Sequence, residues 1–140
     1  MPEVELRLPP DVRYVGLARV VVCVAARQAG MSEERVEDLR IALSEATTNA
    51  ITAHRRMARD DPIVLSFGAA ADGSFAVTVS DAGPGFEPIS PRGNADRDWT
   101  AEGGLGVTII RNLADDVRFL RGEGMQVNLR FAVGLDPHSA

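Results

Sequence analysis

The chain contains no lysine, so all fifteen of its basic residues are arginine. A Walker A phosphate loop, a protein-kinase strand lysine and a Schiff-base catalyst each need an amine, and all three are excluded. Any phosphoryl chemistry must therefore use another nucleotide-binding scheme. Cysteine is nearly as scarce. Cys23 stands alone inside the apolar run Val20-Val21-Val22-Cys23-Val24, so no disulfide framework or Cys-based zinc site can form within one chain, and the thiol reads as a small buried hydrophobe. Aromatics make up 5 % of the residues, which leaves Val, Leu, Ile and Ala to build the core. The net charge of −5 argues against nonspecific nucleic-acid binding, which needs surplus cations to neutralise phosphates. No apolar run is long enough to span a bilayer and no signal-peptide pattern opens the chain, so a cytoplasmic protein with no membrane contact is expected. With 140 residues there is room for one domain, 1–140, and not comfortably for two.

What is present reads as alternating helical and extended segments. Val4, Leu6 and Leu8 alternate with charged residues, predicting a short strand that Pro9-Pro10 breaks. Asp11 can cap a helix running to Gly30, and Ser32 caps the next, with Glu33 and Glu34 at the positive end of its dipole. Val36, Leu39, Leu43, Ala46, Ala50 and Ala53 recur at steps of three and four, predicting a core-facing stripe on a helix that ends near Met57. Strands are expected from Ile63 to Gly68 and Ser74 to Ser80 around an Asp72-Gly73 turn. From about 86 to 103 no apolar period survives; a loop this long in a small domain is more often functional than filler. A third helix follows from Leu105 to Ala114, then a hairpin of Val117 to Leu120 and Met125 to Val133, and a tail from about 134 to 140. The order β-α-α-β-β-α-β-β predicts an α+β two-layer sandwich: a mixed, mostly antiparallel sheet with three helices on one face.

Three places could carry chemistry. Glu45 and Asn49 lie one turn apart on the same side of the second helix. There a partly desolvated carboxylate could take a proton from a hydroxyl, and an amide oxygen could ligate Mg²⁺; equally, both could be solvated residues of the helix border. Asp81 continues the parity of Phe75, Val77 and Val79 at the end of a buried strand face, where a carboxylate needs a partner such as the exocyclic amine of adenine. Gly83 and Gly85 follow and would allow close approach to a flat ligand, although a plain Asp turn has the same composition. Gly103, Gly104, Leu105 and Gly106 open the third helix, either as a phosphate site at a helix N-terminus or as a hinge.

Taken in order, these segments resemble the GHKL (Bergerat-fold) ATP-binding superfamily. Leu43-Ser44-Glu45-Ala46-Thr47-Thr48-Asn49-Ala50-Ile51 is similar to its N-box, Val79-Ser80-Asp81-Ala82-Gly83-Pro84-Gly85-Phe86 to its first glycine box, and Gly103-Gly104-Leu105-Gly106-Val107-Thr108-Ile109-Ile110 to its second, with the ATP lid between the boxes. The likeness runs from about Glu3 to Val133. The Ser-Glu-Ala-Xaa-Thr-Asn form of the N-box resembles the bacterial anti-sigma-factor serine/threonine kinases, which sequester a sigma factor and phosphorylate a Ser or Thr of an anti-anti-sigma (STAS-type) antagonist. That resemblance implies ATP and Mg²⁺ as ligands, Glu45 as general base, Asn49 as Mg²⁺ ligand and Asp81 as adenine reader with Gly83 and Gly85 shaping its pocket. It places Gly103, Gly104, Leu105 and Gly106 at the phosphates and Arg19 in partner binding, and it points to a homodimer, for which the sequence shows no diagnostic stripe.

Two departures stand out. Gly124 is followed by Met125 where the family has Gly-Thr, which removes a hydroxyl that supports adenine through water. Ala53 takes the place of the N-box histidine, with His54 next to it and read as structural. A non-catalytic module that holds nucleotide and a regulatory partner is the alternative reading. A histidine-kinase catalytic domain fits less well, since no His precedes Glu45.

Overall fold

The computed structural model describes residues 3–56, 58–81, 87–88, 106–121 and 125–133. Strand β1 (Val4–Leu8) leads through a 3-10 turn (Val12–Tyr14) into α1 (Val15–Gln28), followed by α2 (Glu33–Arg56) and the hairpin β2 (Ile63–Ala69) and β3 (Ser74–Ser80). A two-residue strand β4 (Glu87–Pro88) comes next, then helix α3 (106–113) and the hairpin β5 (Asp116–Arg121) and β6 (Met125–Ala132).

Local chemistry explains the boundaries. The Asp11 carboxylate accepts the Arg13 N–H at 3.0 Å and so caps the 3-10 turn rather than α1 itself. Gly30, at φ +98°, closes α1: its N–H donates to the Arg27 carbonyl and the Met31 N–H to the Ala26 carbonyl, the paired bonds of a Schellman cap. Ser32 caps α2 by accepting the Arg35 N–H at 3.3 Å. The same paired bonds end α2, with Ala58 N–H on the Arg55 carbonyl and Arg59 N–H on the His54 carbonyl. Ala58 holds the left-handed position at φ 51°, a conformation that costs an L residue about 1–2 kcal/mol.

The strands form one sheet in the order β1-β2-β3-β6-β5-β4. Every pairing among the described residues is antiparallel, which removes the parallel component from the mixed sheet expected above. Two excursions would otherwise favour a parallel return, and neither gives one: β1 and β2 pair antiparallel across α1 and α2, and β3 returns through α3 to pair β6. The stretch from 86 to 103 was expected to lack regular structure, yet Glu87 and Pro88 pair with Arg121 and Leu120. A proline fits there because β4 is an edge strand.

Opposed pairs Leu65 with Val79, Phe67 with Val77, Phe75 with Phe131 and Val77 with Leu129 lie on the helix-facing side of the sheet, all essentially buried. Against them α2 sets Val36, Leu39, Leu43, Ala46 and Ile51. The opposite sheet face is polar, with Thr78 donating to Asn128 at 2.8 Å and Gln126 to Ser80 at 3.1 Å. Helix α1 buries Ala18, Val22, Cys23 and Ala26 while leaving Leu17, Val20 and Val24 exposed. These three form an apolar stripe at helical spacing.

Candidate nucleotide site

The site is assembled along α2. Glu45 and Asn49 are both half-buried on this helix. Gly106, the first described residue of α3, lies directly against them: a Cβ built on it would stand 2.8 Å from Glu45 Oε2 and 3.6 Å from Asn49 Nδ2. The start of the third helix is therefore seated on the carboxylate-amide pair, as a shared site requires. Only glycine permits this approach without moving the Glu45 side chain.

Asn49 Nδ2 is buried and, among the described residues, has no hydrogen-bond partner. An unmade hydrogen bond of this kind costs about 1–3 kcal/mol, and native structures tend to hold such groups for a purpose. The free N–H is a donor suited to a phosphate oxygen, and the oxygen end of the same amide suits a hard cation. Among the described residues no group of three His, Cys, Asp or Glu side chains could hold a metal ion. A divalent cation here would depend on phosphate oxygens and water for most of its ligands, which is the habit of Mg²⁺. The residues present thus fit a magnesium-nucleotide.

Asp81 follows β3 and is 4 % exposed. Its main chain and side chain both engage Met125: the Asp81 N–H donates to the Met125 carbonyl at 3.0 Å, and the Met125 N–H donates to Asp81 Oδ1. The position that lacks the expected threonine hydroxyl fixes the carboxylate through its backbone instead. Burial pushes the Asp81 carboxyl above its usual value of 3.8, against the opposing pull of the Met125 N–H and the fields of His54 and Arg59. Helix α2, which carries Asn49, packs against β3, the strand that Asp81 follows. His54 itself is fully buried, with Nδ1 3.0 Å from the Asp61 carbonyl. A carbonyl only accepts, so this bond puts the proton on Nδ1, consistent with the structural role expected of this histidine.

The raised carboxyl has two opposite pH consequences. Between 3.8 and the elevated value, the folded chain holds a proton that the unfolded chain has released. Asp81 therefore contributes less to stability as pH rises through that window. An amine contact of the kind expected of Asp81 would run the other way, because the ionised carboxylate is the acceptor. Nucleotide affinity is expected to fall on acidification at a higher pH than an ordinary aspartate would give. Titrations of Mg-ATP across the acid range test this; affinity unchanged down to pH 3.8 would remove Asp81 from the base contact.

Arg19 Nη1 reaches Ser44 Oγ at 3.5 Å, next to Glu45 in sequence, and among the described residues Arg19 has no carboxylate partner. Gly83, Gly85, Gly103, Gly104 and Leu105 lie outside the described residues, as do most of the 86–103 segment and the tail from 134. Sequence reasoning missed the exposed α1 stripe, the Met125 main-chain contact and the Thr47 hydroxyl, which is buried without a partner among the described residues.

Known proteins resemble this chain in sequence and in fold. Residues 8–131 match the histidine kinase-like ATPase domain family. The chain is 31 % identical over 133 residues to the serine-protein kinase RsbW of Bacillus subtilis (strain 168), covering 89 % of this chain and 81 % of that protein. It is 35 % identical over 132 residues to the RsbW of Listeria innocua serovar 6a, covering 89 % and 83 % respectively. Among solved structures, that of the RsbU and RsbW domains of Rv1364c from Mycobacterium tuberculosis superposes with a TM-score of 0.70 at 18 % identity, over 94 % of this chain and 32 % of that one. A chain of the SiaB-SiaC complex from Pseudomonas aeruginosa gives 0.63 at 9 % identity, over 91 % and 88 %. These last two establish likeness of fold. By its match over residues 8–131 and its identity to the RsbW proteins, the chain belongs to the histidine kinase-like ATPase domain family, alongside the serine-protein kinases RsbW.

Proposed function

We propose that this single domain is an ATP-dependent serine/threonine kinase and anti-sigma factor, which sequesters a sigma factor and phosphorylates a Ser or Thr of an anti-anti-sigma antagonist. The observation that carries the reading is the seat of Gly106 on Glu45 and Asn49, because it joins a candidate base to the helix start that would face the phosphates. Asp81 accepts the adenine amine through the carboxylate that Met125 steadies, and the family resemblance extends the base contact to Gly83 and Gly85. Asn49 offers its unpartnered N–H to phosphate, and the N–H groups of the segment from Gly103 and Gly104 through Leu105 to Gly106 take up phosphate oxygens.

In the transfer step Glu45 removes the proton of the acceptor hydroxyl, whose oxygen bonds to the γ-phosphorus as the bond to the bridging oxygen of ADP breaks. Asn49 would hold Mg²⁺, which would supply neutralisation of charge on the phosphates. Otherwise the residues act by placement: Glu45 in line with the hydroxyl, and Gly106 keeping the carboxylate at the phosphate end.

Partner docking is assigned to α1. Leu17, Val20 and Val24 are exposed there, Val20 by 63 %, and Arg19 adds a cation without a carboxylate partner among the described residues. A stripe of this kind suits either a regulatory partner or a second copy of the chain. No described helix is long and apolar enough to cross a membrane.

The alternative is a module that binds nucleotide and sigma factor without catalysis, favoured by Met125 in place of the usual threonine. Incubation with γ-labelled ATP and STAS-type antagonists separates the two. Label on the antagonist supports the kinase; bound nucleotide with no label transferred supports the module.

A further inference from the structure

Arg35 holds four parts of the fold with one guanidinium. Its Nη1 donates to Asp38 Oδ2 at 2.7 Å and to the Leu113 carbonyl at 3.1 Å, and its Nη2 donates to Asp115 Oδ2 at 2.7 Å. Its Cζ lies 5.0 Å from the centre of the buried Phe131 ring. Asp115 in turn accepts the Ala132 N–H at 2.7 Å and donates its own N–H to the Arg130 carbonyl at 2.9 Å. Leu113 is the last residue of α3, and its carbonyl is among those a helix cannot satisfy internally. A cation at that end is also favoured by the helix dipole.

Helix α3 is therefore fastened to α2 at both ends. Its first described residue, Gly106, lies against Glu45 and beside Asn49, and its last turn is clasped by Arg35, about 15 Å nearer the start of α2 than Glu45. The two helices run in opposite directions. A short rigid helix pinned at its far end cannot slide or tilt without changing the gap at its near end. The planar fork of arginine suits this task, since it can bond a carbonyl and two carboxylates at once, whereas an ammonium is a single point charge.

We infer, on the nucleotide site proposed above, that Arg35 is a positioning residue: by clasping the C-terminus of α3 to α2 it fixes the phosphate-facing end of that helix against Glu45 and Asn49. It touches neither nucleotide nor reacting atoms, and its effect falls on phosphate binding and transfer while base recognition at Asp81 is spared.

The test compares wild type, Arg35→Met and Arg35→Lys. Methionine keeps an apolar stem over Phe131, and lysine keeps one charge should the methionine variant fail to fold. Hydrogen exchange of the nucleotide-free protein is the first readout. Amides of 106–113 are expected to exchange about tenfold faster in the methionine variant, while those of α1, β2 and β3 keep their wild-type rates. Affinity for ATP and for adenosine is the second. Loss of the clasp is expected to weaken ATP binding about tenfold, the worth of one charge-assisted contact, and to leave adenosine unchanged, with lysine intermediate. Unaltered exchange in α3, or an equal loss for ATP and adenosine, would overturn the positioning role. Wild type that binds neither compound would defeat the nucleotide reading, and the exchange comparison would still decide the clasp.

Discussion

Glu45→Gln is expected to lower phosphoryl transfer to the antagonist by about 10²- to 10⁴-fold, the span associated with a positioned general base. Mg-ATP should bind the variant as tightly as wild type. Glutamine has nearly the same shape and keeps the packing against Gly106, yet its amide cannot take up the hydroxyl proton. Among the described residues the carboxylate has no hydrogen-bond or ion-pair partner to lose, so stability should not confuse the outcome. Single-turnover transfer from pre-bound labelled ATP measures the step directly. An unchanged rate would take the base assignment away from Glu45 and leave it as a helix-border residue.

Gly106→Ala is expected to cost about a hundredfold in the same step, for a different reason. The new Cβ would sit 2.8 Å from Glu45 Oε2, closer than the atoms can remain. The obstructing atom is the end of a flexible side chain, so Glu45 swings away and the fold survives with little loss. That displacement moves a base off its line to the hydroxyl, and misplacement of about 1 Å commonly costs about 10²-fold. Thermal unfolding near the wild-type temperature combined with a collapsed rate is the predicted pair of results. Normal transfer in the alanine variant would show that the Gly106 seat does not set the position of Glu45. In the double variant with Glu45→Gln, the two losses should not add, because both remove the same function.

Much of this was legible before any coordinates. The stripe Val36, Leu39, Leu43, Ala46 recurs at helical spacing, and it is the buried face of α2. The parity of Phe75, Val77 and Val79 placed Asp81 on the core side of the sheet, and it is buried there. Helix α1 was different. Its run from Val20 to Val24 is apolar around the whole circumference, so periodicity cannot say which side meets the core; Val22 and Cys23 face inward while Val20 and Val24 do not. Strand β4 has two residues, one of them proline, too few for any alternation to register. The contacts that make the site are the least visible of all. Gly106 with Glu45, Arg35 with Asp115, and Met125 with Asp81 each join residues far apart in the chain. Only the order of the boxes hinted at the first, and nothing in the local text of Arg35 or Met125 hinted at the others. Met125 is instructive: the missing hydroxyl was plain from the sequence, whereas the main-chain N–H that holds Asp81 is a property any residue but proline would supply there.

The direct trial of a single magnesium-nucleotide pocket lined by α2, β3 and α3 is calorimetric titration of Mg-ATP into wild type and Asp81→Asn. Asparagine can still accept the Met125 N–H through its carbonyl oxygen, while its amide turns a donor toward the base. Wild type should bind with one site per chain, and the variant about tenfold to a hundredfold more weakly. Equal affinity in both proteins, or no heat in either, would contradict the pocket on which the nucleotide and transfer assignments depend.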